Sequence, residues 1–142
     1  MSEIKKKKIT IPTYIVGEPE PLPLYFEKRP YQGASGRIYP IPYVSSFSDD
    51  KKDYDYDGYV LENEYIRAVL LPELGGKVHC ALDKTNGYDF IYNNKVIKPA
   101  MVGLAGPWVS GGIEFNWPQH HRPTTFMPVE HAEGKSDGKK AV

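Results

Sequence analysis

The sequence predicts an all-β chain, an antiparallel sandwich, and three observations carry that expectation. Thirteen prolines and thirteen glycines in 142 residues interrupt the chain too often for long helices. Eleven tyrosines and five phenylalanines favour strands. The middle of the chain alternates apolar and polar residues with period two between clusters of turn-forming residues, and no stretch shows a convincing 3.6-residue apolar period.

Taken in order, Ile9, Ile11, Tyr14 and Val16 fit an edge strand, since Pro12 has no N–H for a central ladder. Gly17 to Pro23 reads as an extended, polyproline-like connector. Tyr25, Phe26, Tyr31 and the Ile38–Tyr43 run supply aromatic anchors on an irregular path. Ser45 to Gly58 is polar and acidic and is expected to be a solvated loop, because its aspartates lack the glycine and terminal glutamate spacing of a calcium loop. Tyr59–Leu61 and Tyr65–Leu71 flank Glu62-Asn63-Glu64 as a hairpin. Pro72 to Gly76 turns the chain, with Gly75 and Gly76 expected at positive φ. Lys77–Leu82 alternates, with Val78, Cys80 and Leu82 on one face and Lys77, His79 and Ala81 on the other. Asp83 to Gly87 is an Asn-Gly turn into a strand over Tyr88–Tyr92. Glu133 to Lys140 has no apolar content and reads as a loop or frayed end. The organisation expected is an edge strand and linker over 1–20, an incomplete β-sandwich over 21–132 and a polar tail over 133–142.

Charge and cysteine usage bound the function. Eighteen basic and eighteen acidic residues cancel, which argues against a dedicated nucleic-acid binder. The Lys5–Lys8 run reads as a solvated terminal segment rather than a polyanion contact. Cys80 is the single cysteine, so no intrachain disulfide forms and a thiolate zinc site is excluded; its apolar context suggests an inert thiol. No apolar run has membrane-spanning length and no signal-peptide core follows the lysines, so the expected location is cytoplasmic.

The richest stretch chemically runs from Trp108 to Thr125. Indole rings beside convergent hydrogen-bonding groups suit a polar ring such as a sugar, whose C–H face stacks on an aromatic while its hydroxyls pair with polar side chains. Trp108, Asn116, Trp117, His121 and Arg122 are the candidate substrate-binding residues, and Glu114 and His120 the candidate acid–base pair. The Gly111-Gly112 pair would let a ligand approach the backbone beside Glu114. Two carboxylates are what glycoside hydrolysis wants, and Glu73 and Glu114 are the nominees. His79 and His131 read as surface residues, and no metal or cofactor is expected.

Leu61-Glu62-Asn63-Glu64-Tyr65-Ile66-Arg67, Leu71-Pro72-Glu73-Leu74-Gly75-Gly76-Lys77-Val78 and Asp83-Lys84-Thr85-Asn86-Gly87-Tyr88-Asp89 form a familiar combination. With Ile97-Lys98-Pro99-Ala100 and Ser110 to Pro118, they closely resemble an uncharacterised bacterial domain family. That domain stands at the N-terminus of large tetratricopeptide-repeat proteins. The resemblance runs from about Pro21 to Glu130. The family in turn looks like the galactose-mutarotase superfamily of aldose epimerases, which implies the N-terminal part of a supersandwich and a carbohydrate ligand. Gly111-Gly112-Ile113 with Trp117-Pro118 resembles a segment of the hexose-phosphate epimerases, with Glu114 in place of the expected proline. The late catalytic glutamate of the epimerases has no match, so the resemblance implies a fragment. Such a fragment would pack on the remainder of its parent chain, or pair as a homodimer through open strand edges. The other reading is a non-catalytic scaffold that packs against helical repeats.

Overall fold

The structure, a computed structural model, describes residues 2–18, 21, 44, 46–101, 107–116 and 127–142. Among them it is all-β and antiparallel in its ladders, with a single 3₁₀ turn and no α-helix. Strands β1 (Glu3–Val16), β2 (Phe47–Glu62), β3 (Ile66–Leu71), β4 (Lys77–Asp83) and β5 (Tyr88–Asp89) form one five-stranded meander in chain order. Two ribbons accompany it: β6 (Pro99–Met101) with β7 (Pro107–Val109), and β8 (Gly134–Ser136) with β9 (Lys139–Ala141).

Turn chemistry fixes the meander. Asn63 Oδ1 accepts from the amides of Tyr65 and Ile66 at 2.8 and 2.7 Å and closes the first hairpin as an Asx turn. Asp83 Oδ1 accepts from the Thr85 amide and hydroxyl at 2.8 and 2.6 Å in the next turn, where Gly87 takes φ 74°. Lys84 links the two tips, donating to Glu62 at 2.7 Å and to the Asn63 carbonyl at 2.8 Å. Between β3 and β4, Pro72–Leu74 makes the 3₁₀ turn, followed by Gly75 and Gly76 at φ 69° and 66° as expected. Glu73 on that turn accepts from the Asp57 amide at 2.6 Å and from the Tyr54 hydroxyl at 3.0 Å, tying the turn to β2.

The core is a layer between the sheet and the β6–β7 ribbon with the segment that leads into it. Ile11, Tyr56, Val60, Val69, Leu71 and Leu74 pack with Ile97 and Val109, which come from the approach to β6 and from β7. Ile97 is held at the sheet margin by its amide to Pro12 O and by Tyr14 N to its own carbonyl, each 2.9 Å. Residue 12 therefore points its backbone polar side away from β2, where a proline costs no ladder bond.

Three expectations are corrected. The acidic stretch 47–58 belongs to β2, whose register with β1 runs from Glu3 opposite Glu62 to Tyr14 opposite Lys51. Lys5–Lys8 correspondingly lie in a strand, although exposed to solvent. The end read as a loop or frayed is a hairpin turning at Asp137 and Gly138, both at positive φ (51° and 74°), the geometry of a two-residue turn. His79 is not a surface residue: it is 9% exposed, and Lys77 only 1%. The face of β4 carrying Lys77, His79 and Ala81 is the more buried, because the segment around Val109–Ile113 covers it.

Candidate functional site

The segment from Trp108 to Asn116 is clamped to the sheet. Val78 and Ile113 exchange both backbone bonds, at 3.2 and 2.9 Å, in an isolated antiparallel bridge. The Gly112 amide donates to Tyr92 O at 2.7 Å. Gly111 and Gly112 stand at φ 86° and 75° with no room for a side chain. A Cβ on Gly111 would lie 2.9 Å from the Asn94 amide nitrogen, and one on Gly112 would lie 2.5 Å from Val78 O. The glycine pair thus serves close approach of the chain to itself, which is a correction to its reading as an opening for a ligand.

Beneath this clamp lies Lys77. Its ammonium donates to Val109 O at 3.2 Å. Burial holds the amine below its ordinary value, and the Glu114 carboxylate opposes that by favouring the charged form. Next on the strand, His79 is held below the usual imidazole value by burial, then by the positive charges of Lys77 and Lys95. The neutral ring is therefore favoured. Burial raises the Cys80 thiol, which agrees with an inert group.

On the sheet face beside the clamp is a cleft of about 330 Å³. Ile9, Ile11, Val69 and Leu82 give it apolar surface. Among the described residues its polar lining is Thr10, Arg67, His79, Asp89, Asn93, Asn94 and Lys95. An apolar floor with convergent amides, a guanidinium, a neutral imidazole and a carboxylate can hold a small polyhydroxylated ring in one orientation.

Of the residues singled out by sequence, Trp108 is half-buried on β7, Glu114 half-buried beyond Ile113, and Asn116 exposed. Trp117, His120, His121 and Arg122 lie outside the described residues. Glu73 and Glu114 stand on different elements, and Glu73 is engaged with Asp57 and Tyr54 as a structural acceptor. Sequence reasoning missed the cleft residues on β3, β4 and the 89–95 segment. The available signal was Asn93-Asn94-Lys95, polar residues just after a strand of aromatics. Among the described residues no group of three or more His, Cys, Asp or Glu side chains is placed to hold a metal ion. No helix among them is long and apolar enough to cross a membrane.

Comparison with known proteins agrees with this architecture. The structure is similar to that of a TPR-domain containing protein from Parabacteroides distasonis, with a TM-score of 0.80 and 26% sequence identity. The match covers 98% of this chain and 23% of that one, so the chain spans about a quarter of the length of its neighbour. Residues 34–142 match the model of a family described as Domain of unknown function (DUF5107). That match extends over most of the sequence, from before β2 through the closing hairpin, and the chain belongs to the DUF5107 family.

Proposed function

We propose that this domain is a carbohydrate-binding or carbohydrate-processing module of a longer, repeat-containing protein. The observation that carries this reading is the cleft beside the glycine clamp, with its aliphatic floor and mixed rim of Arg67, His79, Asp89, Asn93, Asn94 and Lys95. Its volume suits about one sugar ring, and the sequence resemblance to mutarotase-like proteins points the same way. If the module also processes its ligand, the sequence candidates are Glu114 and His120 as acid–base groups and Trp108, Asn116, Trp117, His121 and Arg122 as sugar contacts. Of these, Trp108, Glu114 and Asn116 do not line the cleft, so they would belong to a site on the 108–122 segment.

The test is a monosaccharide and oligosaccharide binding screen followed by titration calorimetry on wild type, Asn94→Ala, Arg67→Ala and Trp117→Ala. Loss of binding in the first two assigns the cleft. Loss in Trp117→Ala alone moves the ligand to the 117–122 segment, and no binding by wild type to any sugar rejects the reading.

A second reading has its own observation. Tyr88, Phe90, Tyr92 and Phe115 are 45–72% exposed around the far end of the meander, and exposed aromatics of this kind suit packing on another protein surface. Under that reading the domain is a non-catalytic scaffold that docks on the helical repeats or on a second copy. A DUF5107 domain that binds no sugar, but whose aromatics become protected in the longer protein, would establish it.

A further inference from the structure

The outer strand of the sheet carries a second feature, independent of the sugar cleft. β1 is the terminal strand of the order β1-β2-β3-β4-β5. Ile97 pairs with its outer margin at Pro12 and Tyr14, but no strand among the described residues pairs with the outer margin of residues 3–10. An unpaired margin is a row of backbone donors and acceptors able to take up another strand.

Beside this margin the β8–β9 hairpin forms one wall of a cleft of about 610 Å³. Sequence-distant lysines meet there: Lys5, Lys6 and Lys7 from β1, Lys135 from β8 and Lys140 from β9. Lys5 pairs with Glu3 at 2.7 Å, and Lys6 lies 3.6 Å from Asp57. No carboxylate among the described residues pairs with Lys7, Lys135 or Lys140. Among the described residues the one acidic side chain lining the cleft is Glu133, which already accepts the Tyr59 hydroxyl at 2.8 Å. The cleft is cationic within a chain whose total charge is zero.

We infer that the β1 margin and the β8–β9 hairpin together bind an extended acidic polypeptide segment, which adds to the sheet as a strand. The backbone margin supplies the hydrogen bonds of strand addition, and the lysines supply the sign of the partner. Lysines on an exposed margin also repel a second copy of the same margin, so they exclude self-pairing while admitting an acidic strand. A nucleic acid is less suited. Among the described residues the aromatic lining the cleft is Tyr59, which is 2% exposed and offers no ring for base stacking.

The probe is a short fluorescein-labelled peptide of alternating Glu and Val, titrated into the intact chain and followed by anisotropy. The comparators are a Gln/Val peptide and a single-stranded oligonucleotide of similar length. The expected result is saturable binding of the Glu/Val peptide that weakens as salt rises from about 50 to about 500 mM. Lys7→Glu with Lys140→Glu should weaken it by about tenfold or more, whereas Lys51→Glu at the opposite end of the ribbon should leave it nearly unchanged. Circular dichroism checks that each variant is folded, and Lys135→Glu serves as a further single-site probe. Amide exchange should slow within residues 3–10 when the peptide is bound. Absence of binding, equal binding of the Gln/Val peptide, tighter binding of the oligonucleotide, indifference to charge reversal, or no protection at 3–10 would each overturn the assignment.

Discussion

Gly112→Ala separates two costs that a glycine conceals, and Gly87→Ala supplies the control. Both glycines take nearly the same left-handed conformation, φ 75° and 74°. For an L-residue that conformation costs about 1–2 kcal/mol. A Cβ on Gly87 would meet nothing within 4 Å, so Gly87→Ala carries the conformational cost alone. On Gly112 it would meet Val78 O at 2.5 Å, Lys77 Cε at 3.1 Å and His79 Cα at 3.3 Å. The carbonyl at 2.5 Å accepts the Ile113 amide, so relief of the clash opens the Val78–Ile113 bridge. Its two hydrogen bonds are worth about 0.5–1.5 kcal/mol each. The sum is about 2–5 kcal/mol for Gly112→Ala against about 1–2 for Gly87→Ala. With a urea m-value of about 2 kcal/mol/M, the midpoints should fall by about 1–2.5 M and about 0.5–1 M. Urea unfolding followed by tryptophan fluorescence measures both. Equal shifts in the two variants would refute the close approach of the glycine segment to β4.

His79 should make stability sensitive to mild acid. Its folded value lies below the ordinary 6.5, so the unfolded chain binds the proton first and stability falls as pH drops below 6.5 toward the folded value. The slope is at most about 1.4 kcal/mol per pH unit. Urea midpoints between pH 7 and 5 should fall less steeply in His79→Gln, and parallel slopes would exclude a buried neutral imidazole. Lys77→Met keeps the length of a buried side chain while removing a desolvated charge and one bond to Val109 O. At pH 7 it should change stability by no more than about 1 kcal/mol, whereas Lys77→Ala should cost about 2–4 kcal/mol. A Met variant as damaged as the Ala variant would mean that the ammonium itself holds the clamp.

The turns were legible because their signals are local. Asn63 and the Asp83–Gly87 run close hairpins through bonds within three or four residues, and the sequence positions both. The closing hairpin carried an equally local sign, Asp137-Gly138, but its strands are all polar and offered no apolar alternation to support it. β2 was hidden for a related reason. Asp53, Asp55 and Asp57 do alternate with Tyr54 and Tyr56, yet its first half, residues 47–53, has no buried position. Burial of Lys77 and His79 was not legible, because the cover comes from residues some thirty positions away. For the site, the sequence singled out the Trp108–Asn116 segment for its side chains and missed its role as a backbone clamp. The cleft, assembled from β1, β3, β4 and residues 89–95, has no single-segment signature.

Gly58 bears on how the long β1–β2 ribbon finds its alignment. Lys8 stands opposite Asp57 and Thr10 opposite Asp55. A slide by two residues would leave every side chain on its own face and would bring Lys8 to Asp55 and Thr10 to Asp53. Charge alone is therefore nearly blind to that error. Shape is not: a Cβ at position 58 would sit 2.7 Å from Ile9 Cγ1 and 3.3 Å from Leu71 Cδ2, so the bare backbone is a notch that these two side chains fill. The same slide would bring Tyr56 to the place beside Ile9 that Gly58 now leaves bare, and its ring would fill the space Ile9 occupies. One missing methyl group thus acts as the key of the ribbon, and the charges along it act only as its latch.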